Sequence, residues 1–289
     1  MFKRVMVAVV GVPFLLFVLV WAPEWATMVL LAGMCGLGAF ELMRAAAGEK
    51  GKRLIPLTVL TASLVPVCLY AMCEYTHEEL GITMGLPLLP LWLPVLGLVF
   101  VFLLFVYAIT HYGKESAIPF ASLTAAILGG LVFPMMLSCL LLLRMIPYTG
   151  KVMVFMPLCI SFGSDTCAYF AGLALGKHKL APLVSPKKTI EGSAGGIIGG
   201  VLGMVLLNVI AVRVFRDLFM TPTQILIFGV VGSVISQIGD LSFSVVKREF
   251  GVKDYGKLLP GHGGILDRFD SVTFVAPFIY LTLSMFWTF

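Results

Sequence analysis

Two stretches of this sequence carry side chains able to handle phosphate. The first reads Ser164-Asp165-Thr166-Cys167-Ala168-Tyr169, then Lys177, then Ser185-Pro186-Lys187-Lys188-Thr189-Ile190-Glu191-Gly192. The second runs from Asp240 to Asp270 and includes Ser244, Lys247, Arg248, Lys253, Lys257, His262, Asp267 and Arg268. Asp267 and Asp270 are three apart, so a helix starting there puts both carboxylates on one face. The positive end of the helix dipole favours acids at that position, and capping alone would explain one of them. Gly261, Gly263 and Gly264 flank His262, a composition that lets backbone amides approach an anion. Hard carboxylate oxygens suit Mg²⁺, which takes one or two carboxylates plus substrate phosphates. Lysine and arginine neutralise those phosphates without acting as nucleophiles.

Several other chemistries are not supported. The chain has no G-x-x-x-x-G-K-[ST] loop, as a P-loop nucleotidase requires. Ser164-Asp165 has no histidine nearby in sequence to make a hydrolytic triad. His77, His111, His178 and His262 are too scattered for a zinc site, and His111 and His178 read as solvated loop residues. The six cysteines form no C-x-x-C pair and read as small apolar packing residues. Arg44, Lys50, Lys52 and Arg53 have no accompanying acids or glycines of this kind, and a basic surface near anionic lipid accounts for them.

The elements that position these groups must be membrane helices. Of 289 residues, 60% are hydrophobic and only 12% charged, about half the charge of a soluble domain. Apolar runs recur from end to end, each near the roughly 20 residues a helix needs to cross a bilayer. The expected fold is an all-α, polytopic integral membrane protein. It has about nine spans, near 5–21, 25–46, 54–73, 88–110, 117–142, 152–174, 192–212, 223–246 and 270–288. The first is read as a retained span rather than a cleaved signal. Gly and Pro between 81 and 97 predict a late or kinked start for the fourth. Residues 1–150 carry five spans and 151–289 the four catalytic ones, within one membrane domain.

With the amino terminus in the cytoplasm, all but Arg144, Lys151, Arg213 and Arg216 of the 20 lysines and arginines face that side. This obeys the positive-inside rule. Asp165 then lies about 16 Å along its helix from the cytoplasmic end, and Asp240 about 10 Å. A lipid-facing Asp at the helix centre costs about 2.5–3.5 kcal/mol even on the lenient scale. Both must therefore line a polar cavity, pair with cations or bind metal. Gly192, Gly196 and Gly200, with Gly195, Gly199 and Gly203, form two small-residue lines for close helix packing. Phosphate cradling near Gly192 is the alternative.

The second block, from Ser244 through Lys247-Arg248, Lys253-Asp254, Gly256, Leu259-Pro260, His262-Gly263-Gly264 and Asp267-Arg268 to Asp270, resembles the signature of phosphatidate cytidylyltransferases. The family pattern S-x-x-K-R-x-x-x-x-K-D-x-G-x-x-L-P-x-H-G-G-x-x-D-R-x-D is met without departure. The first block is similar to the family's S-D-x-x-A-Y…G-K…S-P-K-K-T-x-E-G. The likeness covers residues 164–270; before about residue 150 it rests on hydrophobic helices alone.

The resemblance implies an enzyme of phospholipid biosynthesis that joins CTP to phosphatidic acid, giving CDP-diacylglycerol and pyrophosphate. It implies a homodimer among membrane lipids, with a polar cavity open to the cytoplasm and laterally to lipid; the short chain without a targeting segment fits a bacterial inner (cytoplasmic) membrane, an organellar membrane being the alternative. It further implies a cation pair, Mg²⁺ with K⁺ as the second ion, held by Asp240 and Asp267. On this reading Lys247, Arg248 and Arg268 bind lipid or nucleotide phosphates, and Lys187 and Lys188 hold the triphosphate. Asp165 and Asp270 orient those cations or complete the metal shell, and His262, Gly263 and Gly264 shape the nucleotide loop. Ser164, Ser244 and Lys253 complete the expected substrate-binding set. No nucleic acid is expected among the partners. The competing classes are a cation- or proton-coupled transporter, a CTP-using polyprenol kinase and a scaffold. Nine spans without a visible inverted repeat weigh against the transporter.

Overall fold

A computed structural model describes residues 2–80, 91–115, 117–215, 220–256 and 263–286. In chain order the helices are α1 (Phe2–Val20), α2 (Glu24–Ala46), the single turn α3 (Gly48–Gly51), α4 (Ile55–Leu80), α5 (Trp92–His111), α6 (Phe120–Ile127) and α7 (Phe133–Arg144). After these come the short α8 (Gly150–Met153), then α9 (Phe155–Leu175), α10 (Ile190–Ile210), α11 (Pro222–Glu249) and α12 (Leu266–Phe286). Between α9 and α10 lie two short antiparallel strands, β1 (Lys179–Ala181) and β2 (Ser185–Thr189), paired Lys179 to Thr189 and Ala181 to Ser185. This hairpin is absent from the all-helical expectation. Pro182 and Pro186 disfavour helix there, and the surrounding residues are too polar for the bilayer core.

Over the described residues, every predicted span coincides with a helical segment, and 88–90 and 287–288 lie outside them. Eight described helices are long and apolar enough to cross a membrane, and α1 adds the shorter apolar stretch Gly11–Val20. The fourth span starts at Trp92. The fifth is divided by a π-helical turn at Leu128–Val132. There Gly130 lies against Phe100, whose Cζ would be 2.7 Å from a Cβ at that position. The protein is therefore a multi-pass, all-α membrane protein. Among the described residues, none of the six cysteines is in a disulfide.

The chain forms two compact units, each described by itself. The first comprises Met1–Met145 and Val252–Arg268, the second Ile146–Gly251 and Phe269–Thr288. In the first, α2 packs along α4 with α7 beside both. Leu42, Met43, Phe133, Leu137 and Leu141 are fully buried there. At one end Arg144 donates to Glu24 Oε1 and to the Ala22 carbonyl, each at 3.3 Å.

In the second unit the packing of α9 on α10 is decided by missing side chains. A Cβ on Gly163 would sit 2.6 Å from the Gly199 carbonyl oxygen, and one on Gly203 would sit 3.0 Å from the Cys159 carbonyl carbon. On the next face of α10, Gly200 meets Ser233 and the Gly229 carbonyl of α11. The line Gly195, Gly199 and Gly203 seats α9, while the line Gly192, Gly196 and Gly200 passes from α9 at Gly192 to α11 at Gly200. The Gly192 amide is not left for an anion, because it donates to Thr189 Oγ1 at 3.1 Å as part of the helix cap. Thr189→Ala should cost about 1 kcal/mol through loss of that cap, read as a lower midpoint of unfolding in detergent. An unchanged midpoint would mean the cap contributes nothing.

Candidate active site

The second unit contains an open cavity of about 390 Å³. α9 supplies Asp165 and Tyr169, β2 supplies Lys187 and Lys188, the start of α10 supplies Ser193, and α11 supplies Gln237 and Asp240. Two short-range features bring the hairpin into place. Glu191, in the first turn of α10, accepts hydrogen bonds from the Lys177 and His178 amides at 3.1 and 3.2 Å. Its other oxygen lies 2.6 Å from Nδ1 of His178, which remains a solvent-exposed loop residue and fastens the hairpin through this contact. From the other side, Arg248 Nε donates to the Val184 carbonyl at 3.1 Å. One edge of the Arg248 guanidinium, expected from sequence on a phosphate, therefore holds the hairpin tip to α11.

The hairpin places Lys188 Nζ 2.5 Å from Asp240 Oδ2, with both side chains about one quarter exposed. Ser244, one turn further along α11, donates to Asp240 Oδ1 at 3.3 Å. Asp270 on α12 is buried, accepts from the Ser271 amide at 2.8 Å, and lies within electrostatic reach of Asp240, Asp165 and Lys247. Ser271 Oγ donates to Asp165 Oδ2 at 3.5 Å. Three carboxylates from three helices thus share one field with Lys188 and Lys247. In an apolar surround such a group persists only when its charges are mutually compensated or bound by ligand. Ser164 is fully buried beside Gly196, and its hydroxyl has no hydrogen-bond partner among the described residues. Gln237 and Ser193 hold each other through side chains and through Gln237 Nε2 donating to the Ser193 carbonyl at 3.1 Å.

The first unit places the rest of the signature. Asp267, in the first turn of α12, accepts through Oδ2 from the Tyr255 and Gly264 amides at 2.9 and 3.0 Å. Gly263 has φ +84°, a left-handed conformation that a larger residue adopts at a cost. Lys253 and Arg268 are exposed; His262 lies outside the described residues. Sequence reasoning missed Glu41 of α2, which is buried and accepts from the Leu266 amide at 3.0 Å. It also missed Gln237 and Ser193. A lone acid in an apolar helix is a signal in its own right, and Glu41 is such an acid within 25–46.

Over residues 2–286 the chain matches the Cytidylyltransferase family profile. It belongs to that family. Among curated relatives, it is 42% identical over 144 residues to a phosphatidate cytidylyltransferase of Bacillus subtilis (strain 168), covering 50% of this chain and 52% of that one. It is 49% identical over 120 residues to a phosphatidate cytidylyltransferase of Staphylococcus epidermidis, covering 42% and 44% respectively. A protein of the same name from Staphylococcus aureus is 48% identical over 120 residues. The chain spans about half the length of the curated relatives it matches.

Proposed function

We propose that this protein transfers the cytidylyl group of CTP to phosphatidic acid, releasing pyrophosphate and leaving CDP-diacylglycerol in the membrane for phospholipid synthesis. The observation that carries the reading is the cavity whose one wall is a lysine-bearing hairpin and whose other wall is intramembrane carboxylate, joined by the Lys188–Asp240 pair. That arrangement suits a substrate that is highly anionic at one end and membrane-bound at the other. Family membership and the names of the bacterial relatives support the same reaction. The reading places the amino terminus and the cavity mouth on the cytoplasmic side, following the distribution of lysine and arginine.

In the reaction, an oxygen of the lipid phosphate forms a bond to the α-phosphorus of CTP. The bond from that phosphorus to the bridging oxygen of the β-phosphate breaks, and pyrophosphate leaves with the electron pair. No covalent enzyme intermediate is required, because the lipid phosphate is already an oxyanion. The task of the protein is to bring two anions together and hold them in line. Lys187 and Lys188 bind the triphosphate and stabilise the departing pyrophosphate. Lys247 and Arg248, with Lys253 and Arg268, neutralise phosphate oxygens. Asp165 and Asp270 keep these cations oriented.

The donor set fits Mg²⁺ held by one or two carboxylates together with substrate phosphates. Asp240 is a hard-oxygen donor on the cavity wall, and among the described residues no three His, Cys, Asp or Glu side chains converge into a cage made of protein alone. Asp240 and Asp267 are the residues that would hold Mg²⁺, the pairing the sequence resemblance implies, with K⁺ as the second ion. When bound, Mg²⁺ supplies charge neutralisation at the phosphates.

The test uses purified protein in detergent with phosphatidic acid, Mg²⁺ and CTP labelled at the α-phosphorus. Label should enter the lipid fraction, vanish with EDTA and return with added Mg²⁺. Lipid that stays unlabelled with folded, CTP-binding protein would overturn the reading. Lipid labelled only from γ-labelled CTP would identify a kinase instead.

A further inference from the structure

Within the first unit, Glu41 occupies a position that neither the signature nor the proposed chemistry accounts for. It is 4% exposed and sits on α2, 225 residues away in sequence from its hydrogen-bond partner. That partner, the Leu266 amide, is the first residue of α12, one of the four donors that a helix start leaves without an intrahelical acceptor. Neither Gly264 nor Ile265, the residues before it, has a side chain able to cap. Glu41 supplies the missing acceptor from another helix, where its charge is also favoured by the α12 dipole. The fit is close on both sides. A Cβ on Gly256 would stand 2.7 Å from Glu41 Cδ, and one on Gly264 would stand 2.5 Å from the same atom. The carboxyl group is therefore wedged between the two glycines.

The same segment carries Asp267, whose Oδ2 gathers the Tyr255 and Gly264 amides. Gly264 is thus shared: its backbone donates to Asp267 while its missing side chain admits Glu41. We infer that Glu41 is a positioning residue, setting the place of the α12 start and the glycine turn so that Asp267 keeps its orientation. The inference rests on the reading of Asp267 as a metal-holding residue only for its effect on activity. The structural coupling stands apart from it.

Three variants separate the possibilities. Glu41→Gln keeps an acceptor of full length, Glu41→Asp keeps the charge but loses reach, and Glu41→Leu keeps bulk but loses the acceptor. Hydrogen exchange is followed at the Leu266 amide, which Glu41 holds directly, and at the Tyr255 and Gly264 amides, which Asp267 holds. The Asp and Leu variants should exchange at least about tenfold faster at all three positions, and Gln should restore most of the protection. The Mg²⁺ concentration for half-maximal cytidylyl transfer should rise about 10-fold in the Asp and Leu variants, the lower end for loss of a residue supporting a metal ligand, with a smaller change at saturating Mg²⁺. Faster exchange confined to Leu266, or wild-type exchange in the Asp variant, would overturn the inference, and the Asp variant decides the matter if Leu prevents folding. Exchange needs no turnover, so an inactive wild-type protein would sink the cytidylyl reading while leaving this one to be judged separately.

Discussion

Asp240→Asn is expected to lower label transfer into lipid by about 10²–10³-fold, the scale seen when one preorganised electrostatic contact to a reacting group is removed. Asparagine keeps the shape and can still accept from Ser244, as Asp240 does at 3.3 Å. It loses the charge that sits 2.5 Å from Lys188. Lys188 would then lose its ion-pair partner, and the proposed hold on Mg²⁺ would lose an anionic donor. Because both partners are about one quarter exposed, the damage to folding should fall well below the 3–5 kcal/mol of a fully buried broken pair. The expected signature is therefore a folded, CTP-binding protein with little turnover. Activity within fivefold of wild type would remove Asp240 from the chemistry. The variant Lys188→Met should weaken triphosphate binding, raising KM for CTP more than it lowers kcat.

The second large effect is on stability. Gly199→Leu should destabilise the protein by about 3 kcal/mol or more, the upper range for overpacking. A Cβ on Gly199 would stand 2.5 Å from Cys167 Cβ and closer still to the Gly163 carbonyl oxygen, so the obstacle is partly backbone and cannot rotate away. Leucine adds three more carbons beyond that Cβ. The α9–α10 seam would have to open, and Asp165 and the hairpin lysines ride on its two sides. Unfolding in detergent and retention on gel filtration would report the loss. Ile198→Leu is the control, since Ile198 is 62% exposed and should stay within about 0.5 kcal/mol of wild type. If both variants unfold alike, close approach at Gly199 is not what holds the seam.

These two cases show what could be read before the fold was known. The spans are legible because a run of about 20 apolar residues admits few alternatives to a membrane helix. Asp165 and Asp240 are legible because a carboxylate at such depth needs an explanation. The Gly192–Gly203 lines announce close packing, although which helix each line meets depends on the fold. Lys188 meeting Asp240 was not legible, because it depends on a hairpin whose strands run to only three and five residues. Arg248 reads as a phosphate ligand until its Nε is found on the Val184 carbonyl. Glu41 was the largest omission. Its partner is a backbone amide far along the chain, and an amide leaves no mark in residue type.

The glycine seam of α9 and α10 has a thermal consequence. Seams in water are held largely by withdrawal of apolar surface, and that drive fades on cooling. Here the neighbours displaced are lipid chains, and the contact is carbonyl against bare Cα, so dispersion rather than dehydration supplies the attraction. Parting the two helices within the bilayer exposes little new surface to water and so carries little heat-capacity change. The seam keeps its strength in the cold, when a burial-driven contact of the same size would already be loosening.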